Sequence, residues 1–240
     1  MLDLERQERL RARYGAERPG YRPATVVYEA LLRERAGPDS IILDAGCGQG
    51  SFVARVRGGA RAVGLDVSFQ GFRDAVDLAD LVGGDLEALP FAAESLTLIA
   101  ASWVFEHLAR PARVFAEFAR VLRPGGELVF LTPNALNYAT FANRLAPMRL
   151  QKELVRRLYG RHEQFTFRTH YRANTPRGLD RLLTEAGFQR EALHLVGDPT
   201  YVAFNELGYR LGVVYERLTD RGWLRGLKVH MVGVYGRRGA

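Results

Sequence analysis

The run Ile41-Ile42-Leu43-Asp44-Ala45-Gly46-Cys47-Gly48-Gln49-Gly50 limits what this chain can fold into more than any other feature. Consecutive aliphatic residues without polar alternation predict a strand buried on both faces, Ser40–Leu43, ending at Asp44. Glycines at G-x-G-x-G spacing follow at once, predicting a tight turn over Ala45–Ser51 and a helix over Phe52–Arg57. Glycine permits positive φ and lets a ligand approach the backbone without a Cβ in the way. Such a turn lies at the carboxyl edge of an open α/β sheet, where these sheets bind ligands. The spacing does not suit a dinucleotide, because G-x-G-x-x-G is required and Ser51 follows Gly50 here. Asp44 at the strand end would also repel a pyrophosphate. It can accept hydrogen bonds from an ammonium group, from loop amides or from water. The expected ligand is therefore nucleoside-like, without a diphosphate, and carries an amine.

The flanking sequence keeps the same alternation. Two helices are expected first, over Leu2–Arg13 and Ala24–Ala36, separated by a Gly- and Pro-rich break at Tyr14–Pro23. After the glycine turn, strands are expected at Arg61–Leu65, Asp80–Val82, Leu96–Ala101 and Glu127–Leu131. Ser68 is placed to cap a helix between the second and third strands. Pro111 opens an amphipathic helix through Val121, and Pro124-Gly125-Gly126 reads as a turn. Residues Asn134–Arg161 read as helical, and Thr175-Pro176 starts a helix that Gly187 ends. A strand over Phe188–Val196, an amphipathic helix over Glu206–Leu218 whose Leu207, Leu211, Val214 and Leu218 pack on the core or, alternatively, cover a hydrophobic acceptor, and a strand over Leu227–Tyr235 complete the chain. The fold class is α/β: a doubly wound, mostly parallel sheet with helices on both faces.

Two further carboxylates follow at strand ends. Asp66, followed by Val67, sits near the offset at which an acidic residue grips ribose hydroxyls, about 20 residues beyond the first strand. Asp85, in Gly84-Asp85-Leu86, can accept from an exocyclic adenine amine, with Leu86 against the ring. Three acids on consecutive strand ends, with a glycine loop between them, describe one crevice.

The segments ILDAGCGQG, GLDVS, GDLEALPFAAESLTLIAASWVFEHLARP and LRPGGELVFLTPN together resemble the class I S-adenosylmethionine methyltransferases. They are most similar to the small-molecule branch that includes ubiquinone-biosynthesis O-methyltransferases. The resemblance covers Ser40–Asn134 and implies a Rossmann-like seven-stranded sheet with an antiparallel last strand. It implies S-adenosyl-L-methionine as cofactor, S-adenosyl-L-homocysteine as product and no metal. It assigns Asp44, Ala45, Gly46, Cys47, Gly48 and Gly50 to the methionyl part, Asp66 and Val67 to ribose, and Asp85 and Leu86 to adenine. Ala101, Ser102 and Trp103 would form the floor under the sulfonium. The organisation expected is one domain over residues 1–240. It would comprise N-terminal helices (1–36), a cofactor-binding core (40–133), a helical arginine-rich lid (134–187), and C-terminal strands with a helix (188–240).

A sulfonium methyl is already activated, so alignment and exclusion of water supply much of the acceleration. A base is needed only for a hydroxyl or a protonated amine. His107, one turn beyond the fourth strand, is the nearest candidate and His170 the second; a purely structural role is the alternative for His107. His162, His170 and Glu163 match no standard metal spacing. After the fourth strand the chain reads Ala101-Ser102-Trp103-Val104-Phe105-Glu106-His107, not the paired prolines of DNA-base and many RNA or protein N-methyltransferases. That departure favours a small-molecule or lipid-linked acceptor and argues against DNA.

Charge refines the acceptor. Between Asn143 and Arg181 lie nine arginines and Lys152 against Glu153, Glu163 and Asp180, a local excess equal to the whole +7 of the chain. Arginine forks suit bidentate contact with phosphate or carboxylate. Arg168, Tyr171 and Arg172 are therefore candidate contacts to an anionic acceptor, with Tyr21 set beside them; a solvated face is the bland alternative. Gripping RNA or acting on protein is the rival function, with few aromatics interleaved to support it. A cofactor-binding module without catalysis is a third reading. A single cysteine excludes an intrachain disulfide, and the charged N-terminus lacks an apolar signal core. No apolar run approaches the roughly 20 residues of a membrane span. A cytoplasmic monomer or homodimer is expected.

Overall fold

The computed structural model describes residues 4–48, 50–68, 78, 80–138, 140 and 168–239. It divides into two compact units: a sheet unit of Thr25–Thr132, Thr169–His194 and Met231–Ala240, and a helical unit of Met1–Ala24, Pro133–Arg168 and Leu195–His230.

The sheet contains β1 (Ile41–Ala45), β2 (Arg61–Asp66), β3 (Asp80–Gly83), β4 (Leu96–Ser102), β5 (Leu122–Pro133), β6 (Phe188–Val196) and β7 (His230–Arg237). Their order is β3-β2-β1-β4-β5-β7-β6, and the sheet is mixed, with an antiparallel last strand. β1 pairs in parallel with β2 through Asp44↔Gly64 and with β4 through Asp44↔Ala100, so Asp44 lies at the centre of the sheet. Ile42, Leu43, Ile99 and Ala100 are buried, as strands covered on both faces must be.

Around the sheet the unit carries α2 (Ala24–Arg35), α3 (Phe52–Val56), α4 (Pro111–Val121) and α5 (Pro176–Glu185). Pro111 opens α4, whose Val114, Phe115, Phe118 and Val121 are buried. Phe105 packs on Phe115 and Phe130, both at 5.1 Å between ring centroids. Thr175 caps α5 by accepting from the Gly178 N–H, and Leu179 and Leu183 are buried. This part of the expected lid thus belongs to the sheet unit; residues 141–167, the bulk of that lid, lie outside the described residues. So does the helix that Ser68 was expected to cap.

Several boundaries differ from the sequence reading. The fifth strand begins at Leu122, not Glu127, and Pro124-Gly125-Gly126 lies inside it. Its pairing steps from Leu96↔Leu122 to Leu98↔Glu127, so Arg123–Gly126 is looped out of the ladder, with Gly125 at φ +75°. The turn chemistry was legible, but the return of the chain to the same ladder was not. The closing strand begins at His230, not Leu227, because Arg225–Leu227 forms a 3-10 turn.

In the helical unit, α1 (Leu4–Glu17) runs a turn past the expected stop at Arg13. Ion pairs Arg9–Glu5 and Arg13–Glu17 support its exposed side, and Tyr14 is buried with Ala203, Tyr209 and Val213. A buried polar network holds this unit together. Arg11 donates from Nε (2.9 Å) and Nη2 (2.7 Å) to Asp198 Oδ2, while Thr200 donates its N–H and hydroxyl to Oδ1. Lys228 Nζ meets Glu216 Oε2 at 2.6 Å and Asp220 Oδ1 at 2.9 Å. Buried charges hold only when paired and hydrogen-bonded in this way.

The helix α6 (Glu206–Leu218) corrects an expectation. Leu207, Leu211, Val214 and Leu218 read as its packed face, yet they are exposed; Tyr209, Gly212, Val213 and Glu216 are buried instead. A Cβ on Gly208 would strike the Val202 carbonyl, and one on Gly212 the Pro199 carbonyl. The two glycines, one turn apart, let the helix backbone lie directly on the 3-10 turn Pro199–Val202. Close backbone approach, not the aliphatic stripe, chose the buried face.

Candidate functional site

The site is built at the carboxyl edge of β1, β2 and β4. Asp44 is buried within β1, and its Oδ2 accepts from the Ser51 hydroxyl. Ser51 in turn caps α3, accepting from the Ala54 N–H at 3.0 Å. One serine therefore ties the start of the helix to the buried acid. Burial pushes the Asp44 carboxyl up to about 6, with Ser51 opposing the shift and the charge of Asp66 adding to it.

The turn between them uses its glycines in different ways. Gly46 (φ +72°) and Gly48 (φ +50°) are left-handed. Gly46 lies against Val104, where a side chain would clash, so the turn is packed on the segment after β4. The N–H groups of Gly46 and Cys47 donate to the Leu65 carbonyl at 2.7 and 3.2 Å. Gly50 has no positive φ and open space around it, so nothing in the protein itself demands glycine there. The Cys47 thiol is buried against β2, where a Cβ on Gly64 would lie 2.9 Å from Sγ, so any contact of this residue with a ligand in the turn is through its backbone. Burial pushes that thiol up to about 12, which leaves it inert at neutral pH.

Asp66 ends β2, and both of its oxygens hold the loops around it. Oδ2 accepts from Gly48 N–H at 3.0 Å and Oδ1 from Ser68 N–H at 2.9 Å. Val67 beside it is exposed. Asp85 stands in the turn beyond β3, exposed, with Oδ1 accepting from Glu87 N–H at 2.9 Å; Leu86 is half-buried. Ala45 and Ala101 are buried at the ends of β1 and β4, and Ser102 ends β4. Trp103 follows at φ +57°, its N–H donating to the Leu131 carbonyl. A non-glycine residue in this region stores strain, and such residues gather at functional sites.

Tyr28 was missed by sequence reasoning. It comes from α2 and is fully buried, packed edge-on to Phe52, with Asp44 and Ser102 beside it. Burial, then the Asp44 charge, hold its phenol well above the ordinary range. In sequence it is one more apolar position on a helix.

His107 closes the 3-10 turn Phe105–His107 after β4 and is half-buried. The N–H groups of His170 and Tyr171 donate to the Glu106 carbonyl at 2.7 and 3.1 Å, so the backbone carrying the second candidate base is docked beside the first. Tyr171 is left-handed, φ +52°. The Glu106 carboxyl is buried, accepts from Thr132 Oγ1 at 3.2 Å, and is pushed up to about 7 by burial. Thr132 also accepts from Asn174 Nδ2 at 2.7 Å. Arg168 and Arg172 are exposed, and Arg172 Nη1 donates to the Ala109 carbonyl at 2.6 Å. Tyr21 packs edge-on to Tyr14 in the helical unit, 4.7 Å between centroids, with a buried hydroxyl.

The donor set suits S-adenosylmethionine. Two carboxylates, Asp44 and Asp66, border the glycine turn and Asp85 ends the loop after β3, a set that disfavours a diphosphate and favours an ammonium group, ribose hydroxyls and an amino-purine. Ordinary space at Gly48 and open space at Gly50 leave the turn accessible to a ligand. Among the described residues, no group of three or more His, Cys, Asp or Glu could hold a metal ion.

This strand order, with a glycine turn after β1 and acids at the next strand ends, is that of the class I S-adenosylmethionine-dependent methyltransferases. Residues 43–130 match the family described as a methyltransferase domain. It is 36% identical over 135 residues to a malonyl-[acyl-carrier protein] O-methyltransferase of Methylococcus capsulatus, covering 50% of this chain and 49% of the relative. It is 36% identical over 115 residues to a ubiquinone biosynthesis O-methyltransferase of Hahella chejuensis, covering 43% and 48%. The chain thus spans about half the length of the curated relatives it matches. The crystal structure of an S-adenosylmethionine-dependent methyltransferase from Mesorhizobium loti shares the fold, with a TM-score of 0.61, 18% identity, and coverage of 90% of this chain and 98% of the other.

Proposed function

We propose that the chain binds S-adenosylmethionine in this crevice and catalyses methyl transfer to an oxygen of a small anionic, glycan or lipid-linked metabolite. The observation that carries the reading is the glycine turn held between Asp44 and Asp66, with Asp85 in the loop beyond the neighbouring strand β3. When bound, the cofactor supplies a methyl group activated on a sulfonium, ready for in-line displacement. The protein's part is to bind and orient. Asp44 takes the ammonium group, Asp66 the ribose hydroxyls, Asp85 and Leu86 the adenine, and Ser102 and Trp103 the floor. His107 takes the proton of a hydroxyl acceptor, with His170 as the second candidate. Arg168, Tyr171 and Arg172 meet the acceptor's negative charge. Two matched relatives named as O-methyltransferases support oxygen as the acceptor atom.

Titration calorimetry with the purified chain tests this. S-adenosylmethionine and S-adenosylhomocysteine should bind and NAD should not. Asp66→Ala should weaken cofactor binding by about 1.5–3 kcal/mol, the range for hydrogen bonds to a charged group. NAD binding, or an unchanged affinity in that variant, would overturn the cofactor assignment. Incubating labelled S-adenosylmethionine with metabolite extracts, then identifying the product by mass, tests the transfer and its acceptor.

A further inference from the structure

The outward face of α6 is apolar. At about 100° per residue, Leu207, Leu211, Val214 and Leu218 fall within about 60° of one another, opposite the packed residues Tyr209, Gly212, Val213 and Glu216. Their exposures are 66, 58, 52 and 42%. Phe204 before the helix is also exposed, and Trp223 after it is 80% exposed. Single exposed leucines need no explanation, but four exposed aliphatic residues along one side of a helix do.

Arginines stand on the helix and in the segment that follows it. Arg210 pairs with Glu206, whereas the guanidinium groups of Arg217, Arg221 and Arg225, all exposed, make no ion pair among the described residues. We propose that this face of α6 docks on the surface of an anionic phospholipid bilayer. The helix lies in the plane of the interface, its stripe and Trp223 enter the boundary between headgroups and acyl chains, and the three arginines meet lipid phosphates. Amphipathic helices with Leu and Trp on one side and Arg on the other bind membranes in this way. Tryptophan favours that boundary because its ring is apolar and its N–H polar. Charge selects lipid over a second copy of the chain. A second copy brings the same three arginines, whereas an anionic headgroup layer neutralises them. No described helix is long and apolar enough to cross a membrane, so the contact is superficial. The inference rests on the helical unit alone and does not depend on methyl transfer.

The full chain, without cofactor, is sedimented with vesicles of phosphatidylcholine alone and with vesicles in which part of it is replaced by phosphatidylglycerol. Partition onto the anionic vesicles only, with a blue shift of tryptophan emission, is expected. Leu211→Glu should reduce it at least about tenfold, and so should replacing Arg217, Arg221 and Arg225 together by serine. These side chains are exposed, so both variants should keep the wild-type melting temperature; a variant that does not is replaced by Leu207→Glu, to which the same expectation applies. Equal or absent partition on the two vesicle types would overturn the proposal. So would undiminished binding in the folded Leu211→Glu variant. Self-association abolished by Leu211→Glu, without vesicle binding, would assign the face to a second copy instead.

Discussion

The buried carboxyl of Glu106 links the site to stability. Its folded pKa of about 7 stands above the ordinary 4.5 because burial disfavours the charged form. Between those values the folded chain binds more protons than the unfolded one, so stability falls as pH rises through the window and stays lower above it. Glutamine mimics the neutral acid. Glu106→Gln should therefore match wild type in denaturation at pH 4.5 and exceed it at pH 8 by up to about 3 kcal/mol. A gain that does not vary with pH would show that the carboxyl is not buried as a neutral group. His107 belongs to the same turn but is half-buried. If it takes the acceptor proton, His107→Ala should lower kcat by ~10²–10⁴ with unchanged cofactor affinity. Loss of cofactor binding in calorimetry would make it structural.

Helix α6 shows how an element can mislead at the level of pattern. Glycine in a helix interior ordinarily costs up to about 1 kcal/mol relative to alanine. Gly212→Ala should therefore stabilise α6 on propensity alone. Here the added Cβ would meet the Pro199 carbonyl, which is backbone and cannot rotate away. We expect urea denaturation to show Gly212→Ala destabilised by about 1–3 kcal/mol, the usual range for overpacking. A stabilised variant would mean that the 3-10 turn Pro199–Val202 yields easily. The looped-out Arg123–Gly126 teaches the same lesson for strands. Local turn residues say that the chain departs from the ladder, and only pairing with β4 says that it returns.

At the scale of the whole molecule, the +7 charge is concentrated in residues 143–181, of which 168 onward are described. Arg172 is already hydrogen-bonded to the Ala109 carbonyl and keeps further donors for a ligand. If these arginines meet an anionic acceptor, Arg168→Ala and Arg172→Ala should each raise the acceptor KM several-fold, with S-adenosylmethionine affinity unchanged. Wild-type kinetics in both, on the true acceptor, would leave the arginines as a solvated face. The sequence by itself determined the alternation of strands and helices, the glycine turn after β1 and the acids at Asp44 and Asp66. Each is a local property: an apolar run, a φ that needs glycine, a carboxylate at a strand end. Tertiary structure alone decided that Tyr28 is buried beside Asp44, that Glu106 is buried against Thr132, that the Cys47 thiol turns into the core, and that α6 hides its glycines and shows its leucines. Those outcomes depend on which surfaces meet, and burial is set by partners distant in sequence that no local pattern encodes.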